Sequence, residues 1–127
     1  MRENVLSREV VDSAYKIHVA LGPGLLESVY QAVLSYELRA RGFAIREQVG
    51  IPVVYGGVSL EIGFIADIFV EELVILELKS VDQVSPVHKK QLQTYLKLSG
   101  LRLGLLINFN VELIKNGITR VVNGMPT

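Results

Sequence analysis

The segment Leu103–Asn108, LGLLIN, is apolar at almost every position, and this most narrows the folds open to the chain. A strand without polar alternation needs cover on both faces, as in parallel sheets flanked by helices. Leu73–Ser80, LVILELKS, is a second strand of this kind, interrupted by Glu77 and Lys79. Between the two, Ser85-Pro86 supplies N-cap and N1 residues for a helix ending near Ser99, with Gly100 as its stop. A strand, helix and strand of these lengths form a right-handed βαβ crossover, so the two strands should run parallel. The expected fold is α/β, a mixed α+β sheet with helices on both faces.

The other elements arrange themselves around that unit. Val10, Val11, Ala14, Ile17, His18 and Leu21 keep helical spacing and predict a first helix from Arg8, with Ser7 as N-cap. Gly22-Pro23-Gly24 breaks it, and a second helix runs from about Leu25 to Arg41, stopped by Gly42. Ala44–Val49 is a short mixed strand. Ile51–Tyr55 and Val58–Ile62 flank Gly56-Gly57, a two-residue hairpin signal. Phe64–Val70 and Leu73–Ser80 read as a further antiparallel pair, and Ile118–Val122 as a last strand.

No linker, repeat or low-complexity stretch divides the 127 residues, so a single domain over 1–127 is expected. Thirteen basic residues balance thirteen acidic ones, so nucleic acid would have to be drawn in by a local basic patch rather than a global field. Lys89, Lys90, Lys97 and Arg102 are candidates for it. The absence of cysteine excludes disulfides and thiolate metal sites. The opening MRENVLSREVVDSAYK is too charged for a signal peptide, and no apolar run approaches membrane-spanning length. A cytoplasmic protein without membrane contact is the expectation.

Glu77 and Lys79 are two apart and therefore project from one face of their strand. Burying such charges is costly unless they are paired or given a task. Asp67, in GFIADIFV, lies on the preceding strand. A two-residue loop at Glu71-Glu72 would put Asp67 and Glu77 on opposite faces. A three-residue loop, Glu71–Leu73, pairs Val70 with Val74 and sets Asp67 across from Glu77, an arrangement that calls for a cation between them. The alternative task for Lys79 is a cross-strand ion pair with one of the acids. On the Pro86 helix, His88, Gln91 and Tyr95 form one polar stripe, which is either solvated or turned toward the strand that precedes it. Glu27 either complements the dipole of its helix or points inward with Tyr30 and Leu34. His18, among apolar positions, reads as a satisfied core histidine, and two histidines without an H-E-x-x-H pattern do not make a zinc site.

Together these residues resemble the restriction-endonuclease-like PD-(D/E)XK nuclease superfamily, and within it the small GxxExxY group. GLLESVY, Gly24–Tyr30, is similar to the motif that names that group. GFIAD carries the superfamily aspartate, ELK the (D/E)-x-K, and QLQTY a Q-x-x-x-Y like that of RecB-type exonucleases. LGPGLLESVY, SPVHKKQLQTYLKL and GLLINFNV are also typical, so the likeness runs from about His18 to Val122. It implies an αβββαβ core and phosphodiester hydrolysis with Mg2+ or Mn2+. It makes Asp67, Glu77 and the Leu78 carbonyl ligands of one ion, and Lys79 the lysine of the motif. Glu27 would be the helix-borne acid beside the metal, holding a second ion or an outer water, and Gln91 and Tyr95 would flank the site. Many relatives carry arginine just before the Ala-Asp pair, where this chain has Ile65.

The implied partner is nucleic acid, DNA before RNA. A domain this small covers little of a duplex, which leaves room for a homodimer or a partner protein. The competing class is a nuclease fold used as a non-catalytic binding or assembly module. Neutral charge and Ile65 favour that class, whereas the acid–acid–lysine set favours the enzyme.

Overall fold

A computed structural model describes residues 1–125, Ile62 through its backbone alone; Pro126 and Thr127 lie outside the described residues. The elements in order are α1 (Arg2–Leu21), α2 (Glu27–Ala40), β1 (Ile45–Tyr55), β2 (Val58–Val70), β3 (Val74–Lys79), α3 (Pro86–Ser99), β4 (Leu103–Asn108), a 3-10 turn (Ile114–Asn116) and β5 (Ile118–Val122). The expected αβββαβ order is present as α2 through β4. All five strands lie in one sheet in sequence order. Only β3 and β4 are parallel, from Val74↔Leu103 to Lys79↔Asn108, as the crossover requires.

Each face of the sheet carries its own core. Leu6, Val10, Ala14 and Ile17 of α1 and Tyr30, Leu34 and Leu38 of α2 pack on Ile68, Val70, Leu76, Leu78, Leu105 and Ile107. Leu92, Tyr95 and Leu96 of α3 pack on the other face, against Ile51, Phe69, Ile75 and Leu106. Every residue of β4 is buried, which explains its unbroken apolar run. Gly104 lies where an added Cβ would meet the Leu92 side chain at 2.9 Å, so α3 rests directly on the β4 backbone.

The helix ends largely follow local chemistry. Ser85 caps α3 reciprocally: its hydroxyl accepts from the Val87 N–H, and its own N–H donates to His88 Nδ1. Gly100 closes the helix at φ 71° in the left-handed region. The first helix begins earlier than expected, at Arg2 rather than Arg8. Leu6 and Val10, both fully buried, extend the apolar stripe back past Ser7, so Ser7 is a buried helical residue and not a cap.

The expected four short strands between Ala44 and Val70 are two long ones. Pro52 does not end β1 because β1 is the edge strand, and the register shifts between Ile51 and Val53 to absorb the missing donor. Gly63 does not end β2 because it serves close approach: a Cβ there would sit 2.2 Å from the Ile51 carbonyl oxygen. Gly56 and Gly57, at φ 57° and 78°, form the expected two-residue turn, with Tyr55 opposite Val58.

The β2–β3 connection decides where the charges meet. It is the three-residue loop: Val70 pairs with Val74, Phe69 with Ile75 and Ile68 with Leu76. Glu71 and Glu72 stand at φ 52° and 55°, where glycine would be easier. Local bonds hold Glu71 there. Its carboxylate accepts from the Ala44 N–H at 2.5 Å and from Arg2 at 2.6 Å, and its own N–H reaches the Ala44 carbonyl.

Candidate active site

The β2–β3 ladder stops at Ile68↔Leu76, one pair short of Asp67 and Glu77. Beyond it, side chains replace the backbone. The Asp67 N–H donates to Glu77 Oε1 at 3.1 Å, and the Leu78 N–H donates to Asp67 Oδ2 at 2.8 Å. Each strand thus lends a backbone donor to the other's acid, and the two carboxyl groups are held together at the point where the strands part.

A second irregularity lies on the far side of Asp67. Gln48, which the β1–β2 register sets opposite Asp67, has φ 50°, uncommon for a residue with a Cβ. The alternation of faces changes phase there. Ile45 packs on the α1–α2 core, yet Val49, four residues on, packs on the α3 core. Ile68 and Ala66 on β2 divide in the same way. The consecutive residues Glu47 and Gln48 both reach α2. Gln48 Nε2 donates to Gln31 Oε1 at 2.7 Å and lies 3.4 Å from Asp67 Oδ1. Gln31 Nε2 donates to Glu47 at 3.2 Å, and Arg39 donates to the same carboxylate at 3.0 Å. Burial pushes the Glu47 carboxyl up, but the bonds from Gln31 and Arg39 outweigh it and hold the group below the usual range.

Glu77 is 5 % exposed. Burial, then the neighbouring Asp67 carboxylate, push its acid up to about 8; the Asp67 N–H and the Lys79 charge offset only part of this. Lys79 closes β3 opposite Asn108. The cross-strand ion pair is not formed: among the described residues no ion pair within 4.0 Å involves Lys79, Asp67 or Glu77. The ammonium is therefore near the acids but uncommitted to either.

From α3, Tyr95 is 4 % exposed and its ring tilts against Phe64 with centroids 5.1 Å apart. Burial, then the Glu77 and Asp67 carboxylates, push its hydroxyl up to about 12, so it remains protonated beside them. Gln91 is half-buried one turn earlier. His88, the third member of the expected stripe, is occupied by its role in the α3 cap. Lys89, Lys90 and Lys97 are exposed on the same helix, and Arg102 is half-buried just beyond it.

Glu27 is exposed in the first turn of α2 and lines an open pocket of about 370 Å3 with Leu25, Leu26, Ser28 and Ser80. The loop before it is tied from two sides. Tyr30 stacks on Phe109 at 4.3 Å, and its hydroxyl donates to the Gly22 carbonyl and accepts from the Leu25 N–H. Ser80, the residue after Lys79, donates to the Leu25 carbonyl at 2.6 Å. Glu27 thereby stands beside the end of β3 but apart from the acid pair; among the described residues no three His, Asp or Glu side chains gather as a metal-ligating group. His18 is the satisfied core histidine expected, with Nε2 2.8 Å from the Val111 carbonyl.

Of four further participants, three have no local signature in the sequence. Gln48 and Gln31 meet only through the phase change in β1. Asn108 is 3 % exposed and clamps the chain beyond Lys79, accepting from the Val81 N–H and donating to the Val81 carbonyl. Ser80 fastens the α2 loop. An isolated polar residue ending an apolar strand, such as Asn108, is the one signal that pointed this way.

The donor set is composed of hard oxygens, the two carboxyl groups of Asp67 and Glu77, each seated on a backbone N–H of the other's strand. Such oxygens suit a hard divalent cation and not a soft metal. A comparison with protein-family models matches residues 4–121 to the one described as the PD-(D/E)XK nuclease superfamily. Neither a curated protein nor a solved structure gives a significant match.

Proposed function

The chain belongs to the PD-(D/E)XK nuclease superfamily, and on that premise we propose that it is a divalent-metal-dependent nuclease hydrolysing phosphodiester bonds of DNA or RNA. The observation that carries the proposal is the reciprocal seating of Asp67 and Glu77 with Lys79 two residues on. Asp67, Glu77 and the Leu78 carbonyl would hold Mg2+ or Mn2+. Such an ion supplies Lewis-acid polarisation of the scissile phosphate and eases deprotonation of the attacking water.

The chain's own groups do the rest. The Lys79 ammonium orients the attacking water and stabilises the charge that gathers on the phosphoryl oxygens in the transition state. Tyr95, protonated beside the acids, donates its O–H and with Gln91 positions the substrate from α3. Glu27 acts from outside the pair, on an outer water or a second ion. The exposed lysines of α3 provide the phosphate contacts that a neutral net charge conceals. Within the superfamily, Gly24, Glu27 and Tyr30 support assignment to the GxxExxY group. One domain over residues 1–127, cytoplasmic and working with a second copy or a partner, is part of this reading.

A second reading, a nuclease fold used for assembly, is favoured by a separate observation. No lysine or arginine occurs from Glu47 to Leu78, and the β1–β2 arm exposes Val54, Tyr55, Val58, Leu60 and Ile65. That arm is unsuited to a phosphate backbone and suited to a protein. Labelled single- and double-stranded DNA and RNA incubated with Mg2+ or Mn2+ separate the readings. The enzyme cleaves at least one substrate and stops when EDTA is added. Intact substrates throughout would favour assembly.

A further inference from the structure

We propose that Gln48 and Gln31 are positioning residues: an amide relay from α2 that fixes the Asp67 carboxylate for cation binding. The inference rests on the acid pair being the cation site and adds how one of its ligands is aimed. Asp67 has two carboxylate oxygens. The backbone holds one of them, through the Leu78 N–H at 2.8 Å. The other faces Gln48 Nε2 at 3.4 Å, and without that amide the carboxylate is free to turn about its bond.

The direction of the relay follows from hydrogen-bond chemistry. Glu47, ionised and bonded to Arg39, only accepts. Gln31 must therefore turn its NH2 toward Glu47 and its oxygen toward Gln48, which is the observed arrangement. Gln48 then has to present its NH2 at that junction, and the same nitrogen faces Asp67. An amide facing a ligand carboxylate must be a donor, and Glu47 two links away makes it one. The left-handed backbone of Gln48 is what brings its side chain to α2. Such a conformation is costly for glutamine, and glycine or asparagine would hold it at lower cost. The side chain, rather than the turn, accounts for glutamine here. Gln31 also lies one helical turn from Glu27 on α2, so the relay ties the pair to the helix that carries the third acid.

Substitutions separate the amide from the turn. Gln48→Gly favours the left-handed backbone and deletes the amide; Gln31→Ala leaves the backbone of β1 untouched and suits a helix. Free Mn2+ is followed by its electron paramagnetic resonance signal during titration, and thermal midpoints are recorded alongside. Gln48→Gly is expected to keep or raise the midpoint while weakening Mn2+ binding by about tenfold or more. Gln31→Ala is expected to weaken it as well, and the double variant no further than Gln48→Gly, because the two residues form one chain. If either single variant binds Mn2+ as wild type does, or if the two losses multiply, the relay is refuted while the cation site stands. If wild type itself binds no Mn2+, the cation site fails and the relay with it. If Gln48→Gly does not fold, Gln31→Ala alone decides.

Discussion

Asp67→Ala is expected to lower Mg2+-dependent cleavage by at least about a hundredfold, and Lys79→Ala by about a hundred- to a thousandfold. The reasons differ, and kinetics should separate them. On the proposed mechanism Asp67 would contribute a carboxylate to the cation, so its loss should be partly relieved by raising the metal concentration. Lys79 makes no ion pair with either acid among the described residues and on the same mechanism would act where charge develops, so its loss should fall on kcat and resist added metal. Asp67→Ala also strips the Leu78 N–H of its acceptor, which costs stability of about 1–3 kcal/mol. Asp67→Asn keeps an acceptor for that N–H and removes only the charge, so it should fold like wild type and still be inactive. Full activity in Asp67→Asn and Lys79→Ala together would refute the mechanism. Activity lost only in proportion to folding would do the same.

The second large effect is on stability. In the metal-free protein, burial beside Asp67 raises the Glu77 acid from 4.5 to about 8. Between those values the native chain holds a proton that the unfolded chain has released. Stability is therefore fully present below about pH 4.5 and is lost as pH rises toward about 8, at up to about 1.4 kcal/mol per pH unit. Glu77→Gln keeps an oxygen for the Asp67 N–H and cannot ionise. Urea unfolding should find this variant nearly independent of pH across the window and more stable than metal-free wild type near pH 8. Mn2+ should restore wild type at that pH by binding only the native state and leave Glu77→Gln largely unmoved. A metal-free wild type equally stable at both ends of the window would mean that Glu77 is ionised in place at no cost.

Much of this architecture is legible in the chain because it is encoded locally. The Ser85-Pro86 cap, the Gly56-Gly57 turn and the apolar run of β4 each state their conformation within a few residues. Glu77 and Lys79 are legible as charges in an apolar strand, and the β2–β3 turn reduces to two registers, of which the one observed joins the acids. What escapes is set by contacts distant in sequence. Gly63 looks like a strand break and is a point of close approach to Ile51. The first helix starts six residues early because Leu6 has a place in a core built mostly by later residues. Gln48 carries no local mark of a left-handed backbone, so the phase change that joins it to Gln31 cannot be read from alternation. Glu71 and Glu72 defy the glycine preference of their turn because Ala44, Arg2 and Arg46 hold their carboxylates.

The central claim is that two carboxyl groups are forced together here in order to share a cation. Calorimetric titration of wild type and Asp67→Asn with Mn2+ tests it most directly, run near pH 7 in two buffers of different ionisation enthalpy. The account predicts saturable binding by wild type with release of close to one proton, because the ion displaces the proton that Glu77 holds, and no such binding by Asp67→Asn. Equal heats from the two proteins, or binding by wild type without proton release, would contradict it.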